Sequence, residues 1–360
     1  MNDQRTLRRP ASCTGIGLHS GRKVTLSLKP APADFGIRFQ RTDLGGLEIP
    51  ATLRHLGGLQ EYQTGLAREA VSVETVEHLL AALRALGIDN AIVEVNHPEV
   101  PIMDGSAAPW VHLILNEAGV KRLAAPRRYL KVLRPISLAQ GDKRISLYPA
   151  EHLKVTYSIS FDHPLLRHQS RTMKITEESF VEDIAPARTF GFLKEVEMLR
   201  QRGLALGGSL DNAIVLGETG VLNNALRFED EFVRHKILDV IGDLSLVGYP
   251  VIGHLVAHRG GHALHTAFAA RILEERDAWR LVETPADVEV AMPPMGSKVG
   301  AAAARLANCV ASVIAMRRAA PARAVTPSQG WIRKQTARKT GTHGMSTIAS
   351  GPVLVRNERI

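Results

Sequence analysis

His235 and Asp239 stand four residues apart in the run Glu231-Phe-Val-Arg-His235-Lys-Ile-Leu-Asp239. If that run is helical, the imidazole and the carboxylate lie one above the other on a single face. Both are good ligands for zinc, at about 2.0–2.2 Å. Asp243 falls on the same face one turn further on. The same spacing also suits a plain pair on the solvated side of an amphipathic helix. Glu77-His78 is a second candidate. A histidine beside an acid is common on exposed helices. If His78 holds a metal, however, Glu77 can bend toward a water on an open coordination position and take its proton. His78, His235 and Asp239 would then form a His-His-Asp site with a fourth position for water.

Gly260-Gly-His262-Ala-Leu-His265 puts a histidine in a turn at the end of a strand. A protonated His262 could donate to a leaving amine or stabilise an oxyanion, with Asp243 holding its tautomer and raising its pKa. His265 is the rival within the segment, and its plainer place is the outward face of a helix. Thr189, in Arg188-Thr189-Phe-Gly-Phe, reads as a helix N-cap or as a hydroxyl aimed at a tetrahedral intermediate. The two roles are compatible.

These residues need elements to carry them. Residues 23–29 alternate polar and apolar, as a half-buried strand does. Val76, Leu79, Leu80 and Leu83 have helical spacing within 75–86, and Gly87 ends that helix. Residues 91–95 return to strand, and 109–118 read as a helix. Residues 124–128 look like a linker. Strands are expected near 129–133, 144–148, 154–160, 212–216 and 252–258, and helices over 190–202, 229–246 and 262–275. Glu74-Thr-Val-Glu-His-Leu-Leu shares Glu, Val and His at matching offsets with Glu231-Phe-Val-Arg-His-Lys-Ile. That faint repeat, with strand–helix patterns around both copies, points to two related α+β domains facing each other.

The chain has 360 residues, 45% hydrophobic and 22% charged, the balance of a soluble globular protein with room for two domain cores. Cys13 and Cys309 are too few for a disulfide scaffold or a cysteine-rich zinc site, and they fit a reducing cytoplasm. No signal-peptide core opens the chain. No apolar run reaches the roughly 18 residues of a membrane span. The nearest, 299–316, carries Arg305 and Asn308 and reads as a surface helix. The net charge of +9 raises the question of nucleic acid. Nine basic residues and a single acid, Glu358, follow position 316, so +8 of that charge sits in the tail and the body is nearly neutral. Nucleic-acid binding is therefore not expected of the body. From 319 on, Pro, Gly, Ser, Thr and basic residues mix without periodicity, which reads as disorder.

Taken together, the segments resemble the zinc-dependent UDP-3-O-acyl-N-acetylglucosamine deacetylases of lipid A biosynthesis. The match is carried by Thr14-Gly-Ile-Gly-Leu-His19-Ser-Gly, Thr75-Val-Glu77-His78-Leu-Leu-Ala-Ala-Leu, Gly87-Ile-Asp-Asn90 and Pro101-Ile-Met-Asp104-Gly-Ser-Ala-Ala-Pro. It continues in Ala187-Arg-Thr189-Phe-Gly-Phe, Gly207-Gly-Ser209 and the stretch from Leu226 through His235-Lys236-Ile-Leu-Asp239 to Asp243-Leu, and it closes at His262. It spans about residues 5–285. The resemblance implies His78, His235 and Asp239 as zinc ligands, a set that also suits iron. It implies Glu77 as general base, His262 as protonated partner held by Asp243, Lys236 on a substrate oxygen and Thr189 at the oxyanion. The implied fold is two α+β domains, 1–125 and 126–288, each with helices layered on a small sheet and with the active site between them. The second domain would carry an insert forming a passage for the acyl chain, to which Phe190, Leu193, Val196, Ala205, Gly208, Ser209, Ala213 and Val215 are assigned. Ordinary core packing is the alternative for each of these. Lys143 and Phe161 are candidates for the UDP moiety, by charge and stacking, and His19 for a place near the site. The Ala-rich, basic extension 289–360 has no counterpart in the family pattern.

The expected enzyme is thus a cytoplasmic, monomeric amidohydrolase acting on an acylated UDP-sugar, without nucleic-acid partner or integral membrane segment. A zinc deacetylase or deaminase for another sugar nucleotide, a non-catalytic lipid or nucleotide carrier, and nucleic-acid binding through the basic tail stand as alternatives.

Overall fold

A computed structural model describes residues 3–58, 60–223 and 225–283. Two five-stranded sheets within it repeat one plan. The first holds β1 (Ala11–Ile16), β2 (Lys23–Pro30), β3 (Ile37–Arg41), β4 (Leu47–Pro50) and β5 (Ala91–Val95), ordered β1-β2-β5-β3-β4. The second holds β6 (Ile136–Gln140), β7 (Lys143–Tyr148), β8 (Lys154–Ile159), β9 (Gln169–Lys174) and β10 (His254–His258), ordered β6-β7-β10-β8-β9. In each sheet the last strand in sequence lies in the middle, antiparallel to one neighbour and parallel to the other. A parallel neighbour cannot be joined by a tight hairpin and needs a longer crossover. In both halves that crossover contains a helix, α1 (Glu77–Ala85) before β5 and α4 (Glu231–Leu244) before β10. Each central strand is followed by another helix, α2 (Ala108–His112) or α5 (His262–Glu274). The architecture is α+β, and the repeat seen in seven residues extends to the order and sense of the strands.

Alternation decides which strand faces are covered. In β2, Val24, Leu26 and Leu28 are buried while Lys23 and Thr25 are exposed. Helices α1 and α4 pack against each other and bury nearly all of their residues, including Leu79, Leu83, Ile237 and Leu238. Gly242 permits that closeness. A Cβ there would overlap the Glu77 carbonyl oxygen and lie 2.8 Å from Glu77 C and 3.1 Å from its Cα. Glycine inside a helix costs about 0.5–1 kcal/mol relative to alanine, so a close crossing is the physical reason to have one here. The first turn of α1 is thereby seated on α4 between Asp239 and Asp243.

Two expectations are corrected. The helix over 190–202 begins later: Phe190–Phe192 is a strand paired in parallel with Ile214–Leu216, and α3 runs over Leu193–Gln201. Aromatic side chains around Gly191 suit a pleated edge. Residues 124–128 are not a free linker, because strand Val120–Pro126 pairs antiparallel with Asp3–Leu7. The expected helix over 109–118 is present, as α geometry over Ala108–His112 continued in π geometry over Leu113–Ala118, and it stops at Gly119, whose φ is 67°. Among the described residues no helix is long and apolar enough to cross a membrane. The expected surface helix over 299–316, Cys309 and the extension 289–360, expected to be disordered, lie outside the described residues.

Candidate functional site

The crossing of α1 and α4 brings three predicted ligands together. Asp239 Oδ1 lies 3.2 Å from His235 Nε2 and 3.7 Å from His78 Nε2. The two imidazoles meet edge to face, with centroids 4.9 Å apart. All three side chains are buried, and their ligand atoms lie within 4.8 Å of one another. His235 Nδ1 bonds the Ala187 carbonyl at 3.0 Å. As the donor in that bond, Nδ1 carries the proton and leaves the Nε2 lone pair facing the cluster. Asp239 Oδ1 is buried yet accepts no hydrogen bond. A buried polar atom left so costs about 1–3 kcal/mol. An oxygen without a donor, facing two imidazole nitrogens, is the arrangement a divalent cation satisfies, so these residues could hold a metal ion. Lys236 Nζ contacts the other oxygen, Oδ2, at 2.7 Å. Burial opposes ionisation of Asp239, but its neighbours His235, Lys236 and His262 outweigh burial and hold the carboxyl well below the usual range.

A second buried group adjoins the first. Asp243 Oδ2 lies 2.9 Å from His262 Nδ1 and 2.8 Å from His265 Nδ1. His262 Nε2 is 3.8 Å from Asp239 Oδ2, so its other edge faces the ligand cluster. Burial would strip its proton, but the carboxylates of Asp243 and Asp239 prevail and push its pKa up to about 9. In return His262, then His265, hold Asp243 at about 2 against the effect of burial. His265 is not on an outward helix face. It is fully buried, Nε2 bonds Tyr157 Oη at 2.8 Å, and burial lowers its pKa. Gly260 leaves room for that pair, since a Cβ would lie 2.5 Å from Tyr157 Oη and 2.7 Å from His265 Nε2.

Glu77 is also buried, and burial raises its pKa even against the charges of His262 and His78. Thr64 links it to the rest. The Thr64 N–H donates to Glu77 Oε2 at 3.0 Å while Oγ1 donates to Asp243 Oδ1 at 2.5 Å. One threonine thus fixes the two carboxylates relative to each other. Nothing in the sequence marks Thr64, because its partners are 13 and 179 residues away.

The loop before α3 is tied to the start of α4. Arg188 donates from its backbone N–H, Nε and Nη2 to Glu231, which is fully buried and also accepts from Arg227 N. Thr189 follows, half-buried, with its N–H on Gly105 O and its carbonyl accepting from Ile214 N, both at 2.8 Å. Phe190 then lies 6.4 Å from the His235 ring, with Lys236 Nζ 5.6 Å from its centroid. Thr189 therefore stands between two residues anchored to α4. Phe161 packs on Phe190 and Phe192, at 6.0 and 5.6 Å. It thus belongs to one aromatic cluster with the predicted passage residue Phe190. Leu193 and Val196 on α3 are half-buried, as is Gly208, while Ser209 is exposed. The tight approach falls on Gly207, where a Cβ would overlap Gly17 O, whereas a Cβ on Gly208 would lie 3.3 Å from Ala205 O. His19 is buried beside this loop: its N–H donates to Glu99 Oε1 at 2.7 Å, its carbonyl accepts from Leu206 N, and its Nε2 has no partner. Burial lowers its pKa, and His262 is among the charges acting on it. Lys143 is exposed at the first position of β7, beside Arg144, which pairs with His258 on the strand leading to His262. No hydrogen bond or cation–π contact among the described residues joins Lys143 to Phe161.

Comparison with known proteins finds matches over most of the chain. The family model described as UDP-3-O-acyl N-acetylglycosamine deacetylase matches residues 4–274. Proteins named UDP-3-O-acyl-N-acetylglucosamine deacetylase are similar over most of the chain. That of Syntrophotalea carbinolica is 49% identical over 283 residues, 78% of this chain and 91% of its own. That of Pseudomonas entomophila is 49% identical over 283 residues, 78% and 93% of the two chains. That of Myxococcus xanthus is 50% identical over 282 residues, 78% and 89%.

Proposed function

The chain belongs to the UDP-3-O-acyl N-acetylglycosamine deacetylase family, and from that membership we propose that it hydrolyses the N-acetyl amide of UDP-3-O-acyl-N-acetylglucosamine, a step of lipid A biosynthesis. The products are acetate and the free amine. The observation that most supports a metal-dependent route is the buried triangle of His78, His235 and Asp239 around a carboxylate oxygen without a donor. Zinc fits this His-His-Asp set, and when bound it would acidify a water toward a pKa of about 7 and polarise the amide carbonyl.

The chain's own groups then have separate tasks. Glu77 takes the proton of the attacking water, and its raised pKa makes it a better base than an ordinary carboxylate. His262 enters protonated, faces the developing oxyanion and passes its proton to the departing nitrogen. Asp243 keeps that imidazole charged and oriented. Thr189 supplies a hydroxyl to the oxyanion, and Lys236 binds a substrate oxygen beside the cluster. The acyl chain runs along Phe190, Leu193, Gly208 and Ser209. Lys143 and Phe161 meet the UDP moiety, with His19 near the reacting centre. The two sheet-and-helix halves are read as two related domains that each contribute one side of the site. A diffusible UDP-sugar and a chain with two cysteines fit a cytoplasmic monomer.

The test is acetate release from the acylated sugar nucleotide, measured before chelation, after chelation and after zinc is restored. Loss and recovery are expected. Release that ignores the chelator overturns the metal-dependent reading. Equal turnover of UDP-N-acetylglucosamine lacking the acyl chain overturns the substrate assignment.

A further inference from the structure

Away from the catalytic groups, the C-terminal ends of α1 and α4 enclose a cavity of about 460 Å³. That lies within the roughly 300–1,000 Å³ of small-molecule sites. Val155, Ile241 and Leu255 form part of its apolar lining, and Arg5, Arg84 and Arg127 line it as well. Arg84 and Arg127 also line an adjoining cavity of about 710 Å³. Gly87, at φ 71°, sits where a Cβ would come within 3.1 Å of Arg127 Nη1 and 3.2 Å of Arg5 Nη1, so two guanidiniums flank one glycine.

Part of this arrangement is ordinary helix capping. Arg5 Nη1 donates to Leu86 O and Arg84 Nη2 to Ser245 O, at the ends of α1 and α4, where cations are favoured. Capping leaves a remainder. Arg5 is paired with Glu177 at 3.1 Å and Arg127 with Asp89 at 2.8 Å. Arg84 has no carboxylate partner among the described residues, and its buried Nε donates to nothing. Asp89 is the nearby anion, but its oxygens already accept from Arg5 N and Arg127 Nε. Burial lowers the Arg84 pKa to about 10, the mark of a guanidinium short of compensating charge.

We infer that this cavity binds a single-chain amphiphile with an anionic head, an alkanoate whose carboxylate meets Arg84 and whose chain lies on Val155, Ile241 and Leu255. A planar guanidinium with a spare donor matches a carboxylate, and the apolar lining matches an alkyl chain. Neither inorganic phosphate nor a neutral alcohol offers both.

Isothermal titration of decanoate into the zinc-loaded full chain tests this, with Arg84→Gln, Arg84→Lys and Phe192→Ala alongside. Loss of a charge-assisted contact should weaken binding about tenfold or more in Arg84→Gln. Arg84→Lys, which keeps the charge but not the planar fork, should fall between Arg84→Gln and the parent, and Phe192→Ala, in the aromatic cluster near the metal ligands, should match the parent. Decylamine and inorganic phosphate, titrated into the unmodified protein, should bind far more weakly than decanoate, a readout that needs no variant to fold. Absent decanoate binding, equal binding of decylamine, unchanged affinity in Arg84→Gln, or a loss seen only in Phe192→Ala would each overturn the inference.

Discussion

Replacing Gly242 with alanine should separate catalysis from folding. The added methyl would overlap the Glu77 carbonyl oxygen and sit 2.8 Å from Glu77 C and 3.1 Å from Cα. Carbon atoms settle at about 3.5–4.0 Å, so the first turn of α1 must retreat by roughly 1 Å. That turn carries both Glu77 and His78, whereas His235, Asp239 and Asp243 stay on α4. A displacement of about 1 Å in a catalytic array costs about a hundredfold in rate. The stability change is smaller: overpacking costs about 1–3 kcal/mol, and alanine returns about 0.5–1 kcal/mol as the better helix former. Gly242→Ala should therefore melt cooperatively a few degrees below the parent while kcat/KM for acetate release falls about a hundredfold. Metal content measured on the same sample shows whether the loss is of the ion or of the base. A folded, metal-loaded Gly242→Ala enzyme with kcat/KM near the parent's would refute the claim that this crossing sets the geometry.

Glu77→Ala should keep its metal and lose about 10²–10⁴ of turnover, the usual share of a general base; near-parental acetate release would remove Glu77 from that role. The profile of kcat/KM against pH should be bell-shaped. His262 is active protonated with a pKa of about 9, so the rate falls as pH rises through about 9. Glu77 is active ionised with its pKa raised, so the rate falls on the acid side somewhat above the ordinary carboxylate range. In His262→Ala the alkaline limb should vanish, and its persistence would assign that limb to another group. Thr64→Val removes the donor to Asp243 and should lower kcat about tenfold with little change in KM; an unchanged kcat would make the Thr64 bridge incidental. Glu231→Ala leaves Arg188 without its carboxylate and should destabilise the fold by about 3–5 kcal/mol in denaturant titration; a change under about 1 kcal/mol would show that water replaces the pair.

What could be read from the residues alone follows their distance in sequence. His235 and Asp239 were legible because helical geometry converts a four-residue spacing into a shared face, and Glu77 and His78 because they are neighbours. That the two pairs converge rested on family likeness and on a seven-residue repeat, which the paired sheets now account for. Thr64 was invisible, since its function is one amide and one hydroxyl delivered by the fold. Glu231 was noticed only as a repeat identity, although its burial under Arg188 anchors the Thr189 loop. Gly242 did leave a trace, a glycine inside a strong helix, but only the partner backbone explains it. Residues 190–192 read as helix because Phe190 extends the apolar spacing of Leu193 and Val196, while a pairing with residues more than 20 positions away decided for strand. His265 was placed outward by local pattern and inward by Asp243 and Tyr157, neither of which adjoins it in sequence.

The central claim is that one ion is held jointly by His78 from α1 and by His235 and Asp239 from α4. Elemental analysis of the purified protein and of the His78→Ala, His235→Ala, Asp239→Ala triple variant addresses it directly. About one equivalent of zinc in the parent, and none in a triple variant that still unfolds cooperatively, is the predicted result. A folded triple variant that keeps its full equivalent of zinc would contradict it.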